Sequence, residues 1–192
     1  KVGRDSGRYA ANRLLALLSK MFSVAQGWGW KGDNPAKGIK KFKEESRERF
    51  LEGDEMPRFF KALADEPNTI ARDFFLTSLL TGARKTNVLM MRWAEIDLDK
   101  ARWRIPETKS GESHTLPLPQ AIVEVLKARE ASTESEYVFP GRGKTGHMVE
   151  PKSAWRRILN RAEIDDLRIH DLRRTLGSWQ AATGANLSII GK

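Results

Sequence analysis

The sequence predicts an α+β fold, mainly helical, with a small three-stranded antiparallel sheet. Apolar residues recur at three- and four-residue intervals over most of the chain, which is the helical period. Between residues 94 and 118 the period changes to alternation, and turn-forming residues cut that stretch into three short segments.

The first predicted helix runs from Ser6 to Gln26, where Ala10, Leu14, Leu17, Leu18, Met21 and Phe22 repeat at helical spacing. Arg8, Arg13 and Lys20 are offset from that stripe, Gly27-Trp28-Gly29-Trp30 ends it, and Gly32-Asp33-Asn34-Pro35 breaks the pattern again. One helix cannot bury such a stripe alone, so this element is expected to be the last part of a small helical domain. Ala36 to Arg49 has no sustained apolar period, carries Lys37, Lys40, Lys41 and Lys43, and reads as a basic interdomain linker.

A second region begins near Phe50. Asp54 is the expected N-cap of a helix that turns Met56, Phe59, Phe60 and Leu63 inward, and Asn68 or Thr69 caps the next, with Ile70, Phe74, Phe75, Leu79 and Leu80. That helix runs into Thr81-Gly82-Ala83-Arg84, where glycine permits a sharp turn and the arginine follows directly on a buried element. A short helix is expected over Lys85 to Trp93. Strands then follow over Ala94 to Leu98, Arg102 to Ile105 and His114 to Leu118, with turns at Asp99-Lys100 and Lys109-Ser110-Gly111-Glu112. Helices over Gln120 to Ala131 and Ser153 to Ala162 flank the apolar segment Tyr137-Val138-Phe139. The loop Gly141 to Gly146 between them lacks the glycine, lysine and hydroxyl spacing of a nucleotide-binding loop.

Composition narrows the function. Hydrophobic residues make up 40% and charged residues 31% of the 192, and no apolar run reaches membrane-spanning length. With no cysteine there is no disulfide framework and no thiolate metal site, which makes the cytoplasm the expected compartment. The net charge of +9 favours a polyanionic partner, and residues 1–43 hold ten Lys/Arg against two Asp, so the excess is N-terminal.

The densest chemistry lies in Ile169-His170-Asp171-Leu172-Arg173-Arg174-Thr175. An imidazole stands three residues before a guanidinium, while Leu172, Leu176 and Trp179 mark the buried side of a helix. Cations at a helix N-terminus suit a docked anion such as a phosphate; a helix start with His170 near its cap and two solvated arginines is the other reading of the same residues.

Three cationic stations thus appear in order: Arg84 after Thr81-Gly82, Lys109 in the hairpin, and His170 with Arg173. Together with Ala11-Asn12-Arg13 on the first helix and Asn34-Pro35 beyond it, this pattern resembles the tyrosine recombinase family, specifically the phage and prophage integrases. The resemblance implies that residues 1–43 are the C-terminal part of a helical core-binding domain with a basic linker, in which Arg13, Lys37, Lys40, Lys41 and Lys43 contact DNA. It implies that residues 44–192 are the catalytic domain, truncated before the nucleophile, with Arg84, Lys109, His170 and Arg173 as catalytic residues. The implied activity is site-specific DNA recombination through a 3′-phosphotyrosyl intermediate, with neither cofactor nor metal. The implied partner is double-stranded DNA at attachment sites, with a tetramer on DNA for the full-length protein, a monomer for this fragment, and no membrane. Tyr9 and Tyr137 match no nucleophile position, and Asn87 stands where the family usually has an acidic residue. This fragment is therefore expected to be inactive alone, and a non-catalytic DNA-binding protein with recombinase architecture is the alternative.

Overall fold

The computed structural model of the protein describes residues 6–45, 47–106 and 113–182. The chain divides into two units, Lys1–Arg47 and Glu48–Lys192.

The first unit is one helix and an extended strap. Helix α1 (Ser6–Gly27) follows the expected period, but Leu14, Leu17 and Met21 on its apolar stripe are each more than half exposed. Past the helix, the Trp30 ring returns onto Phe22 with ring centroids 5.2 Å apart. The stretch after Lys37 is not a free linker. The buried Asn12 amide donates to the Phe42 carbonyl at 2.9 Å and to Glu44 Oε1 at 2.8 Å, and its Oδ1 accepts from Phe42 N–H at 2.9 Å. One side chain thereby supplies the pairing that a neighbouring strand would give. The Tyr9 hydroxyl fastens the far end by donating to the Glu45 carbonyl at 2.7 Å.

The second unit holds helices α2 (Glu55–Ala64), α3 (Thr69–Thr81), α4 (Lys85–Leu89), α5 (Gln120–Glu130), α6 (Lys152–Ala162) and α7 (Asp171–Ala182). Strands β1 (Ile96–Asp97), β2 (Arg102–Ile105) and β3 (His114–Pro117) form an antiparallel sheet in that order. The register pairs Trp103 with both Ile96 and Leu116, and Ile105 with His114. Phe59, Phe74, Phe75, Phe139 and Trp155 form the aromatic centre of the core, with edge-on and tilted ring contacts between 4.9 and 5.9 Å. Two buried carboxylates tie elements across it: Asp73 meets Arg129 at 3.2 Å, and Glu66 pairs with Arg157.

Some details differ from the sequence expectation. Asn68 caps α3 by accepting from Ala71 N–H at 3.0 Å, but Asp54 makes no cap bond because its own backbone is already helical (φ −77°, ψ −26°). Glu55 serves there instead, taking Glu52 N–H at 3.0 Å and Arg49 at 2.7 Å. Phe60 is exposed, because it neighbours the core-facing Phe59 and adjacent helical positions point apart. The helix expected over Lys85 to Trp93 stops at Leu89, since Met91 and Trp93 pair with the 136–138 segment instead. Trp93–Glu95 forms a 3₁₀ turn, which shortens β1 to two residues.

Candidate phosphate-binding site

The site grows from the end of α3. Gly82 closes that helix in the left-handed region (φ 59°, ψ 13°), and the chain then extends through Arg84 (φ −61°, ψ 136°) before α4 begins. Helix α7 packs on α3 so closely here that a Cβ on Gly82 would lie 2.8 Å from Leu176 Cδ2. The Gly82 carbonyl, released by the helix end, accepts from Arg173 Nη1 at 2.6 Å. One glycine therefore sets both the direction in which Arg84 leaves α3 and the anchor of Arg173.

The two guanidiniums feel each other. Burial lowers the Arg173 pKa, and the nearby charge of Arg84 lowers it further. Arg84 is itself half-buried and has no carboxylate partner among the described residues. Holding two cations together in partly desolvated surroundings is unfavourable unless an anion joins them.

The start of α7 is held by Asp171, whose carboxylate is buried. It accepts from Arg168 N–H at 2.9 Å, closing the first turn from inside, and from Arg174 Nη1 at 2.9 Å. The Thr175 hydroxyl donates to the Asp171 carbonyl and accepts from Leu51 N–H, each at 2.9 Å. His170 is thereby set in the turn just before α7. Its ring keeps solvent contact on one side, and its pKa is lowered first by desolvation and then by Arg174; Asp171 opposes this, and Arg173 and Lys85 add to it. The neutral imidazole is thus the form present at neutral pH.

His170 and Arg173 open onto different hollows. His170 lines a cleft of about 570 Å³ with Lys85, Glu150, Trp155 and Arg168, in which Lys85 Nζ meets Glu150 Oε1 at 2.9 Å. Arg173 lines a smaller pocket of about 200 Å³ with Thr81, His114, Leu116 and Gln180. Lys109 lies outside the described residues. In the first unit Arg13 is exposed and reaches Glu44 only at 3.5 Å, and Lys37, Lys40, Lys41 and Lys43 are exposed along the strap. Asn87 makes no side-chain hydrogen bond to a described residue, so the steadying of this region falls to the Gly82 carbonyl and Asp171. Among the described residues no three His, Asp or Glu side chains group as metal ligands, and no helix is long and apolar enough to cross a membrane.

Three contributors escaped the sequence reading. The Gly82 carbonyl carried no signal, since any residue has one. Asp171 carried a signal in its place three residues after Arg168, the spacing of a side chain that returns to a helix's first N–H. His114 carried one in its alternation with Leu116 and Leu118, which puts all three on the inward face.

The helix-flanked three-stranded sheet places the fold among tyrosine recombinase catalytic domains. The chain is similar to a lambda integrase dimer bound to a COC′ core site, with a TM-score of 0.72 and 16% identity over 96% of this chain and 71% of that one. It is also similar to the Tn1549 transposon integrase in complex with circular intermediate DNA, with a TM-score of 0.73 and 11% identity over 95% and 69%. The chain belongs to the phage integrase family, whose sequence profile matches residues 49–192. Among curated relatives it is 32% identical to prophage integrase IntF of Escherichia coli, over 73% of this chain and 32% of the relative. It is 33% identical to the shufflon-specific DNA recombinase of Escherichia coli, over 83% and 40%. The chain thus spans about a third to two fifths of the length of these relatives.

Proposed function

We propose that this chain is the phosphate-clamping part of a site-specific DNA recombinase, a cytoplasmic protein that cleaves and rejoins double-stranded DNA at attachment sites through a 3′-phosphotyrosyl intermediate. The observation that carries the reading is the Arg84 and Arg173 pair, two partly buried guanidiniums brought together across Gly82. Attack on a phosphodiester builds charge on the non-bridging oxygens, and two forked donors already in place stabilise that charge with no reorganisation. His170, neutral in the turn before α7, is the candidate to hand on a proton, and Lys109 is the candidate acid for the leaving 5′ oxygen. Residues 1–43, as part of a core-binding domain, add Arg13, Lys37, Lys40, Lys41 and Lys43 as backbone contacts. The full-length protein acts as a tetramer on DNA.

The nucleophile is carried by none of these residues. Tyr137 is buried, its hydroxyl accepting from Arg92 Nη2 at 2.8 Å, and Tyr9 is committed to the Glu45 carbonyl. A third tyrosine has to reach the clamp, and the 192-residue chain alone does not cleave.

The test compares this chain with a longer polypeptide that includes it and a third tyrosine, each mixed with a nicked DNA carrying the attachment core. The longer polypeptide forms an adduct stable in denaturant and the 192-residue chain forms none. Arg84→Ala and Arg173→Ala each slow adduct formation by roughly 10²- to 10³-fold with DNA affinity retained. Changes at Lys37 to Lys43 weaken affinity and reduce its salt dependence. Parallel affinity losses from both sets of changes refute the assigned roles, and binding without any adduct establishes a non-catalytic DNA-binding protein.

A further inference from the structure

The pocket beside Arg173 differs from the His170 cleft in one chemical respect. The cleft is rimmed by Glu150, Asp165 and Asp166, whereas no carboxylate is among the described residues lining the pocket. Its walls are mostly apolar, with Leu80, Leu116, Leu176 and two prolines, and its polar side chains are Thr81, His114, Arg173 and Gln180. The Thr81 hydroxyl is already used, donating to the Thr77 carbonyl at 2.6 Å and accepting from Ala83 N–H at 3.3 Å.

His114 is not used in that way. It begins β3, paired with Ile105, at a position where the strand alternates inward and outward, so its ring is half-buried on the pocket side while Thr115 is exposed. The ring makes no hydrogen bond to a described residue. An imidazole always has at least one N–H, and on this half-buried ring the donor is committed to no described protein group, so an anion entering the pocket can take it up in place of solvent. The pocket offers that donor and a guanidinium, with apolar walls that strengthen any charge-assisted hydrogen bond formed there.

We propose that His114 is a second ligand of the phosphate bound by Arg173, reached from the sheet and donating an imidazole N–H to a non-bridging oxygen. This rests on the recombinase reading above and adds a residue to it. No proton is transferred, because an imidazole ring offers an N–H donor in either protonation state. Arg84 and Arg173 approach the phosphate from the α3 and α7 ends, and His114 completes the cradle from β3, at the root of the 106–113 connection that carries Lys109.

The experiment measures single-turnover adduct formation by the longer tyrosine-bearing polypeptide at saturating nicked DNA. The variants are His114→Phe, which fills the space without a donor, and His114→Asn, which restores one. His114→Phe slows cleavage by roughly 10- to 100-fold, the worth of one hydrogen bond to a charged group, while melting temperature and DNA affinity hold. His114→Asn recovers most of the rate. With methyl replacing one non-bridging oxygen of the scissile phosphate, the His114→Phe penalty shrinks in one of the two diastereomers, a response that a packing role would not give. Wild-type cleavage by His114→Phe, or equal loss in both variants with no relief on the methylphosphonate, overturns the proposal. Arg173→Ala, run alongside, separates the two levels. If wild type forms no adduct, the recombinase reading itself falls; if Arg173→Ala cleaves normally, the phosphate is not bound at Arg173 and the site proposed for His114 falls with it; if Arg173→Ala is inactive while His114→Phe is normal, only His114 is excluded.

Discussion

Gly82→Ala is the substitution that most directly tests how this site is assembled. Two costs can be worked out separately. An L-residue at φ 59° pays about 1 to 2 kcal/mol for the left-handed conformation. The new Cβ would lie 2.8 Å from Leu176 Cδ2, a terminal methyl that can turn aside, so the steric part falls at the low end of overpacking penalties, about 1 kcal/mol. The sum is about 2 to 3 kcal/mol, read as a lowered urea midpoint at unchanged slope for the Glu48–Lys192 unit. The two parts respond differently to a second change. Leu176→Ala in the Gly82→Ala background relieves the clash and leaves the backbone cost, so the pair is less destabilised than the sum of the single changes. Because Arg173 is anchored on the Gly82 carbonyl at 2.6 Å, the proposed clamp role predicts that Gly82→Ala, placed in the longer tyrosine-bearing polypeptide, also slows adduct formation at saturating nicked DNA. A loss below 1 kcal/mol with full cleavage would refute the claim that one glycine sets both arginines, and strict additivity with Leu176→Ala would refute the clash.

Other consequences are equally open to measurement. Arg129→Met removes the buried one of the two guanidinium partners of Asp73; the expected loss is about 3 kcal/mol, the low end for a broken buried pair, because Arg72 Nε still bonds Asp73 at 2.9 Å. In urea melts, pairing it with Asp73→Leu recovers much of that loss, since no charge is then left buried. Acid weakens the protein through two carboxyls. The hydrogen bond from Arg49 lowers the pKa of Glu55 against its desolvation, and burial pushes Glu66 up but is outweighed by Arg157 and the Asn68 N–H. Depressed folded-state values mean their stabilisation is complete above the ordinary carboxylate range, about pH 4.3, and disappears as pH falls through the folded values, so the urea midpoint drops below about pH 4.5 and Glu66→Gln flattens that drop. Asn12→Ala unfastens the strap, so trypsin cuts at Lys40, Lys41 and Lys43 sooner than in the parent chain; equal cutting rates would show that Asn12 does not hold it.

The elements were largely legible because local periodicity reports burial. The α3 stripe from Ile70 to Leu80, its Asn68 cap, its Gly82 stop and the alternation of β2 and β3 are written in neighbouring residues. Failures came where a distant segment outbid local preference. The helix after Lys85 ends early because residues 136–138 claim Met91 and Trp93, and the strap runs along α1 because Asn12 supplies what a lysine-rich stretch cannot.

Residue type and order alone determined the kind of chemistry: unreduced positive charge, guanidiniums that cannot be neutralised and no thiols. They also determined that Arg84 follows a glycine stop and that His170 and Arg173 stand together where a helix begins, His170 in the turn before it. Only the tertiary structure decided which of these groups meet. Arg84 and Arg173 are 89 positions apart in the chain and come together because α3 and α7 pack through Gly82 and Leu176. His170 and Arg173, three residues apart, open onto separate hollows because His170 lies in the turn before α7, outside the helical spacing that would put it on Arg173's face. A side chain's type belongs to the sequence, whereas its desolvation and its partners depend on atoms brought near by packing, and no local pattern records those.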